Sequence, residues 1–204
     1  MQVVLKVNGR NSVTSIGYQA FYNCSGLTSI TFGNSVTTIG SAAFESCIGL
    51  TEVIIPYSVT SIGEATFSRC TGLRSITIGN SVTSINRFAF SGCSGLTAIT
   101  IPDSVTSIGD FAFSYCSGLH SINIPNSVTT IGKSTFFHCE GLTSINIPDS
   151  VTSIDEKAFC GCSGLTSVTI GNSVTSIGYQ AFYNCNSNIY INGNIPSSNA
   201  STVK

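Results

Sequence analysis

LTSITFGNSVTTIGSAAFESCIG, residues 27–49, decides the fold, because the rest of the chain repeats it. Units of the same 23-residue length run through 4–26, 50–72, 73–95, 96–118, 119–141, 142–164 and 165–187, read without insertion or deletion. NSVTSIGYQAFYNC at 11–24 returns unchanged at 172–185, displaced by seven units of 23. A polar stretch, 188–204, follows as a C-terminal remnant or cap. No linker or shift in composition interrupts the series, so 1–204 reads as a single domain.

Each unit has the same physical content. Leu27, Ile30 and Phe32 have the spacing of a strand with one buried face, and a Pro or Gly such as Gly33, Pro56 or Pro102 ends it. Asn or Asp followed by Ser then makes a turn, and Val36 to Ile39 forms a second short extended stretch. Gly40, with Gly17, Gly63, Gly109, Gly132 and Gly178, closes that stretch. Asn86 and Asp155 share the slot, which predicts a left-handed turn there. The A-F-x-x-C segment puts Phe and Cys three residues apart, the spacing of one side of a helical turn. A unit this short cannot bury its apolar residues alone. Stacked on its neighbours it can, so the expected fold is a solenoid of eight coils. It carries a parallel β-sheet on one face, a second short strand and a helical turn per coil. At strand spacing the array is roughly 40 Å long.

Composition narrows function. Eight Lys and Arg against nine Asp and Glu leave a net charge of −1, with no basic stripe for nucleic acid. Charged residues are only 8% of the chain, against about 25% in ordinary soluble domains, so hydroxyls supply the polar surface. No apolar run reaches the ~18 residues of a membrane span, and the first ten residues do not read as a signal peptide.

The pattern L-x-x-I-x-I-P-x-S-V-T-x-I-G-x-x-A-F-x-x-C-x-G resembles the BspA-type subclass of leucine-rich repeats over about residues 4–187. The resemblance implies a leucine-rich-repeat solenoid. It also implies a cell-surface or extracellular protein, with an adhesive or protein-binding role and partners held on the sheet face.

Eight cysteines recur at the repeat period, from Cys24 to Cys185, and read as a column of small buried thiols beneath the Phe column. Each would face two equivalent neighbours, so no disulfide pairing is specified, and clustered metal-ligand spacings are absent. Cys160 stands outside the column. Its slot holds Tyr22, Glu45, Ser68, Ser91, Ser114, Phe137 and Tyr183 elsewhere, which predicts an exposed thiol. His120 and His138 fall on opposite sides of the coil, carboxylates are scattered, and no base stands near a Ser or Thr nucleophile. The chain reads as a non-enzyme with neither cofactor nor metal.

Two surfaces remain as candidates for binding. On the first strands, Glu52, Ile54, Arg74, Thr77, Thr100, His120 and Asn123 are the expected contacts for a protein or glycan partner. At the ends, Val4, Leu5 and Val7, and Ile189, Tyr190 and Ile191, read as edge strands able to stack copies head to tail. A further unbroken column of threonines, Thr14 to Thr175, has the regularity of an ice-binding face, or of lateral hydrogen bonding along a stack.

Overall fold

The computed structural model describes residues 13–186 in full, together with the backbone of Val3–Lys6 and Tyr190–Asn192. The chain winds as a parallel β-solenoid. One row of strands comprises Val3–Lys6, Leu27–Thr31, Glu52–Ile54, Ser75–Thr77, Ala98–Ile99, Ser121–Ile122, Ser144–Ile147, Ser167–Ile170 and Tyr190–Asn192. The second row consists of two-residue strands at the V-T-S-I segments, from Ser15–Ile16 to Ser176–Ile177. Pairing is parallel and in repeat register, as in Glu52 with Ser75, Ile54 with Thr77 and Ser153 with Ser176. The first unit departs from that register. Lys6 pairs with Thr31 and Val4 with Ser29, across an irregularity between Val3 and Val4, so this coil is two residues longer than the others.

The expected helical turn is not there, and the described residues contain no helix. Phe and Cys of the A-F-x-x-C segment lie instead on a succession of tight turns. Its N–H groups alternate in destination. Those of Ala43, Glu45 and Cys47 donate back to Gly40, Ala42 and Phe44, three residues earlier, while those of Ala42, Phe44 and Ser46 donate across to Glu64, Thr66 and Ser68 of the next coil. A helix would direct every one of them four residues back. The alternation needs two left-handed residues per coil, found at Gln19, Ala42, Ala65, Phe88, Phe111, Ser134, Lys157 and Gln180, and again four positions later. Left-handed backbone costs an ordinary residue about 1–2 kcal/mol. The bonds to the next coil, 2.8 to 2.9 Å at Ala42, Phe44 and Ser46, oppose that cost.

The Gly40 slot also differs from expectation, since neither its glycines nor Asn86 and Asp155 have positive φ. Its constraint is contact with the coil below. A Cβ on Gly40 would lie 2.8 Å from the Gly17 backbone, and one on Gly178 would lie 2.4 Å from Glu156 N.

The core is a set of columns one coil apart. Phe44, Phe67, Phe90, Phe113, Phe136 and Phe159 have no exposed surface, and neighbouring rings from Phe21 to Phe182 stack in near-parallel planes with centroids 5.2 to 5.7 Å apart. The A of A-F is Thr66 and Thr135 in two coils. Both are fully buried, and each hydroxyl donates to the carbonyl three residues back, at 2.9 Å to Gly63 and Gly132. A buried hydroxyl with a local acceptor avoids the cost of an unpaired polar group.

Candidate functional site

Burial of Leu, Ile and Ile in the L-x-x-I-x-I strand turns the three residues between them outward. Glu52, Ile54, Arg74, Thr77, Thr100, His120 and Asn123 are accordingly all exposed on the face of the first row. Register sorts them into columns. Ile54, Thr77, Thr100 and Asn123 share one, Arg74 and His120 lie in another with Thr97 between them, and Glu52 pairs with Ser75 in a third. The array is fixed in place by the backbone ladder rather than by long side chains.

Two members have internal work. The Asn123 amide donates to the Ile101 carbonyl and accepts from the Ile101 N–H, both at 2.9 Å, standing in for a strand where the ladder is interrupted. His120 Nδ1 lies against the Gly118 carbonyl. Glu52, Ile54 and Arg74 form the most varied part of the face, and Ile54 is 58% exposed.

The threonine column is exposed along its length, and its hydroxyls bond laterally. Thr37, Thr83, Thr106, Thr152 and Thr175 each donate to the carbonyl of the threonine one coil below, at 3.2 to 3.3 Å. These hydroxyl protons are thus directed along the stack.

At the ends, Val4 and Leu5 lie in Val3–Lys6, which pairs with Leu27–Thr31, and Tyr190 and Ile191 lie in Tyr190–Asn192, which pairs with Ser167–Ile170. Val7 and Ile189 fall outside the described residues.

The cysteine column is a set of free thiols, and from Cys47 upward each is hydrogen-bonded to the coil beneath, whereas Cys24, at the start of the column, is exposed and not buried as expected. Cys47 Sγ donates to the Phe21 carbonyl at 3.1 Å, and the relation repeats up to Cys185 and Phe159. Burial pushes the Cys47 thiol up to about 11 and Cys116 to about 12. Cys160 corrects the sequence reading: it is buried, with 6% of its surface exposed. Its neighbours in the same slot are Phe137 and Tyr183. Desolvation raises its pKa, against the Lys157 charge, which lowers it.

His138 sits across the coil from the sheet, 3.2 Å from a Glu140 oxygen and stacked on Tyr115 at 5.5 Å. Among the described residues no three His, Cys, Asp or Glu gather as metal ligands, and no helix is long and apolar enough to cross a membrane.

A groove that the sequence reading did not single out lies on the turn side, with a volume of about 720 Å³. Ser68, Ser91 and Ser114 line it, together with Phe88, Phe111 and Tyr115. Its signal in the sequence is a run of three serines in the Cys160 slot, between Glu45 and Phe137.

The family model for the BspA-type leucine-rich repeat region matches residues 4–104 and 84–202. A leucine-rich repeat protein from Bacteroides ovatus is 31% identical, with a TM-score of 0.86 over 99% of this chain and 62% of its own. This chain therefore spans less than two thirds of that protein's length. The T. pallidum leucine-rich repeat protein is 28% identical, with a TM-score of 0.71 over 92% of this chain and 82% of that one. One from Eubacterium ventriosum, at 23% identity and a TM-score of 0.65 over 96% of this chain and 67% of its own, shares the fold. No curated protein sequence matches the chain. Its repeat, its parallel coils and these likenesses agree: the chain belongs to the BspA-type leucine-rich repeat family.

Proposed function

We propose that the chain is a non-enzymatic adhesion module that engages a protein or glycan partner on the face of its first strands. The observation that carries this reading is the grouping of Glu52, Ile54 and Arg74 on two adjacent coils, which puts both signs of charge and an exposed isoleucine on a rigid sheet otherwise rich in hydroxyls. Anchors of this kind, apolar or guanidinium groups on a fixed scaffold, supply most of the energy in protein interfaces. The reading entails display at a cell surface or outside the cell.

The test is binding of the purified chain to immobilised matrix proteins and to a glycan array. It compares the native chain with the combined Glu52→Ala, Arg74→Ala, His120→Ala variant. Loss of a bound partner in the triple variant supports the sheet face, and unchanged binding removes it.

A second reading is head-to-tail association through the terminal strands, since Val3–Lys6 and Tyr190–Asn192 each add a strand to the first row. Such a contact is heterologous and grows filaments. Light scattering over a concentration series tests it: a constant mass near 21.3 kDa rejects this reading, and mass rising with concentration supports it.

A further inference from the structure

The groove on the turn side is built by a local change in one column. Glu45, Ser68, Ser91, Ser114 and Phe137 follow one another at the repeat interval, so three small residues form a floor closed at each end by a large one. Ser68 and Ser114 are buried in that floor, 7% and 1% exposed. One wall is the Phe88–Phe111 pair, stacked with centroids 4.9 Å apart and braced by the Arg87 guanidinium, 4.4 Å from the Phe88 centroid. The opposite wall carries Tyr115, which is 55% exposed. The lining holds one carboxylate, Glu45, and one guanidinium, Arg69, so its charge balances.

The hydroxyls of the floor have a defined polarity. Ser114 Oγ donates to the Phe111 carbonyl at 3.0 Å, which commits its proton. Ser91 Oγ, 2.8 Å from Ser114 Oγ, is therefore the donor of that pair. Its own oxygen is left as an acceptor, and it suits a ligand rich in hydroxyl donors.

The walls select the ligand further. The Ser91 and Ser114 hydroxyls lie 2.8 Å apart and present one polar point on the floor. A pyranose ring presents hydroxyls at its edge and offers apolar C–H faces to aromatic rings. Concave sites with aromatic walls and a few fixed polar groups are the usual form of small-ligand pockets.

We propose that this groove binds a neutral oligosaccharide, its hydroxyls bonded to Ser91 and its ring faces packed against Phe88, Phe111 and Tyr115. The site is separate from the sheet face and does not rest on the reading given above for it.

The test is calorimetric and NMR titration of the full chain with cellotetraose, maltotetraose and mannotetraose. Two variants use residues the chain already carries at equivalent positions. Ser91→Tyr reproduces Tyr22 and Tyr183 and fills the floor, while Phe111→Ala reproduces Ala42 and Ala65 and removes a wall. The expected result is saturable binding of at least one sugar, with shifts at Ser91, Ser114 and Tyr115. Each variant should weaken it about tenfold or more, with its melting transition retained. The Glu52, Arg74, His120 triple variant should bind the sugar as the native chain does. The proposal is overturned if no tetrasaccharide binds, if a folded Ser91→Tyr variant binds equally well, or if the shifts map to the sheet face.

Discussion

Cys93 Sγ donates a hydrogen bond to the Phe67 carbonyl of the coil below, at 3.1 Å, and the same carbonyl accepts the N–H of Cys70 within its own coil. Each buried carbonyl is thus satisfied twice, once locally and once from above. The thiol belongs to the bonding between coils and is not merely filler under the phenylalanine column. Such a bond keeps its proton, because the thiolate has nothing to donate and no water to solvate it.

Stability should therefore fall at high pH. Burial raises the folded-state value of Cys47 from 9.0 to about 11 and those of Cys116 and Cys185 to about 12, and drives Cys93 and Cys139 well above 9.0. An acid whose folded pKa is raised binds its proton more tightly when folded. Its contribution is complete below about pH 9 and is lost as pH rises from there through the folded values. Urea midpoints should be level from pH 7 to about 8.5 and then decline steeply toward pH 11. A flat profile across that range contradicts the thiol column as the pH-sensitive element.

Phe113 lies between Phe90 and Phe136, with centroids 5.4 and 5.6 Å away, and is fully buried. Phe113→Ala should cost about 3–5 kcal/mol, the range for emptying a packed aromatic site. In a repeat array that loss falls on two interfaces at once. Denaturation followed by tyrosine fluorescence and by circular dichroism should give a lower midpoint, with the two probes no longer coincident.

Two glycines should respond oppositely to alanine, although neither has positive φ. A Cβ on Gly72 would sit 2.2 Å from the Ile48 carbonyl oxygen, whereas Gly17 has no atom within 4 Å of that position. Gly72→Ala should destabilise by about 1–3 kcal/mol through overpacking. Gly17→Ala should be neutral or stabilise by up to about 1 kcal/mol by restricting the unfolded chain. Thermal melts of the two variants check the ordering, and equal effects reject close coil approach as the cause.

Native alkylation should distinguish the cysteines. Cys24 is exposed, whereas Cys160 and the column from Cys47 to Cys162 are buried. Brief iodoacetamide treatment followed by peptide mass spectrometry should modify Cys24 first and leave Cys160 largely unmodified until denaturant is added. Early modification of Cys160 would contradict its burial.

The 23-residue interval by itself determined the solenoid, the two rows of strands, and which of Leu, Ile, Phe and Cys point inward. Apolar periodicity and punctuation at Pro and Gly are local properties, and stacking identical units leaves only one way to bury them together. The outward places of Glu52, Ile54 and Arg74 followed from the same alternation. The turns were not legible. Left-handed backbone falls on Ala42, Phe88, Phe111 and Lys157, residues with no preference for it, and only the hydrogen bonds to the next coil hold it there. Cys160 was misread because its burial is set by the stacked coils around it and not by the residue types that share its slot. The groove over Ser68, Ser91 and Ser114 has the same origin. Side chains distant along the chain become neighbours only when the coils stack, so only the tertiary structure decided which of them form a floor and which form walls.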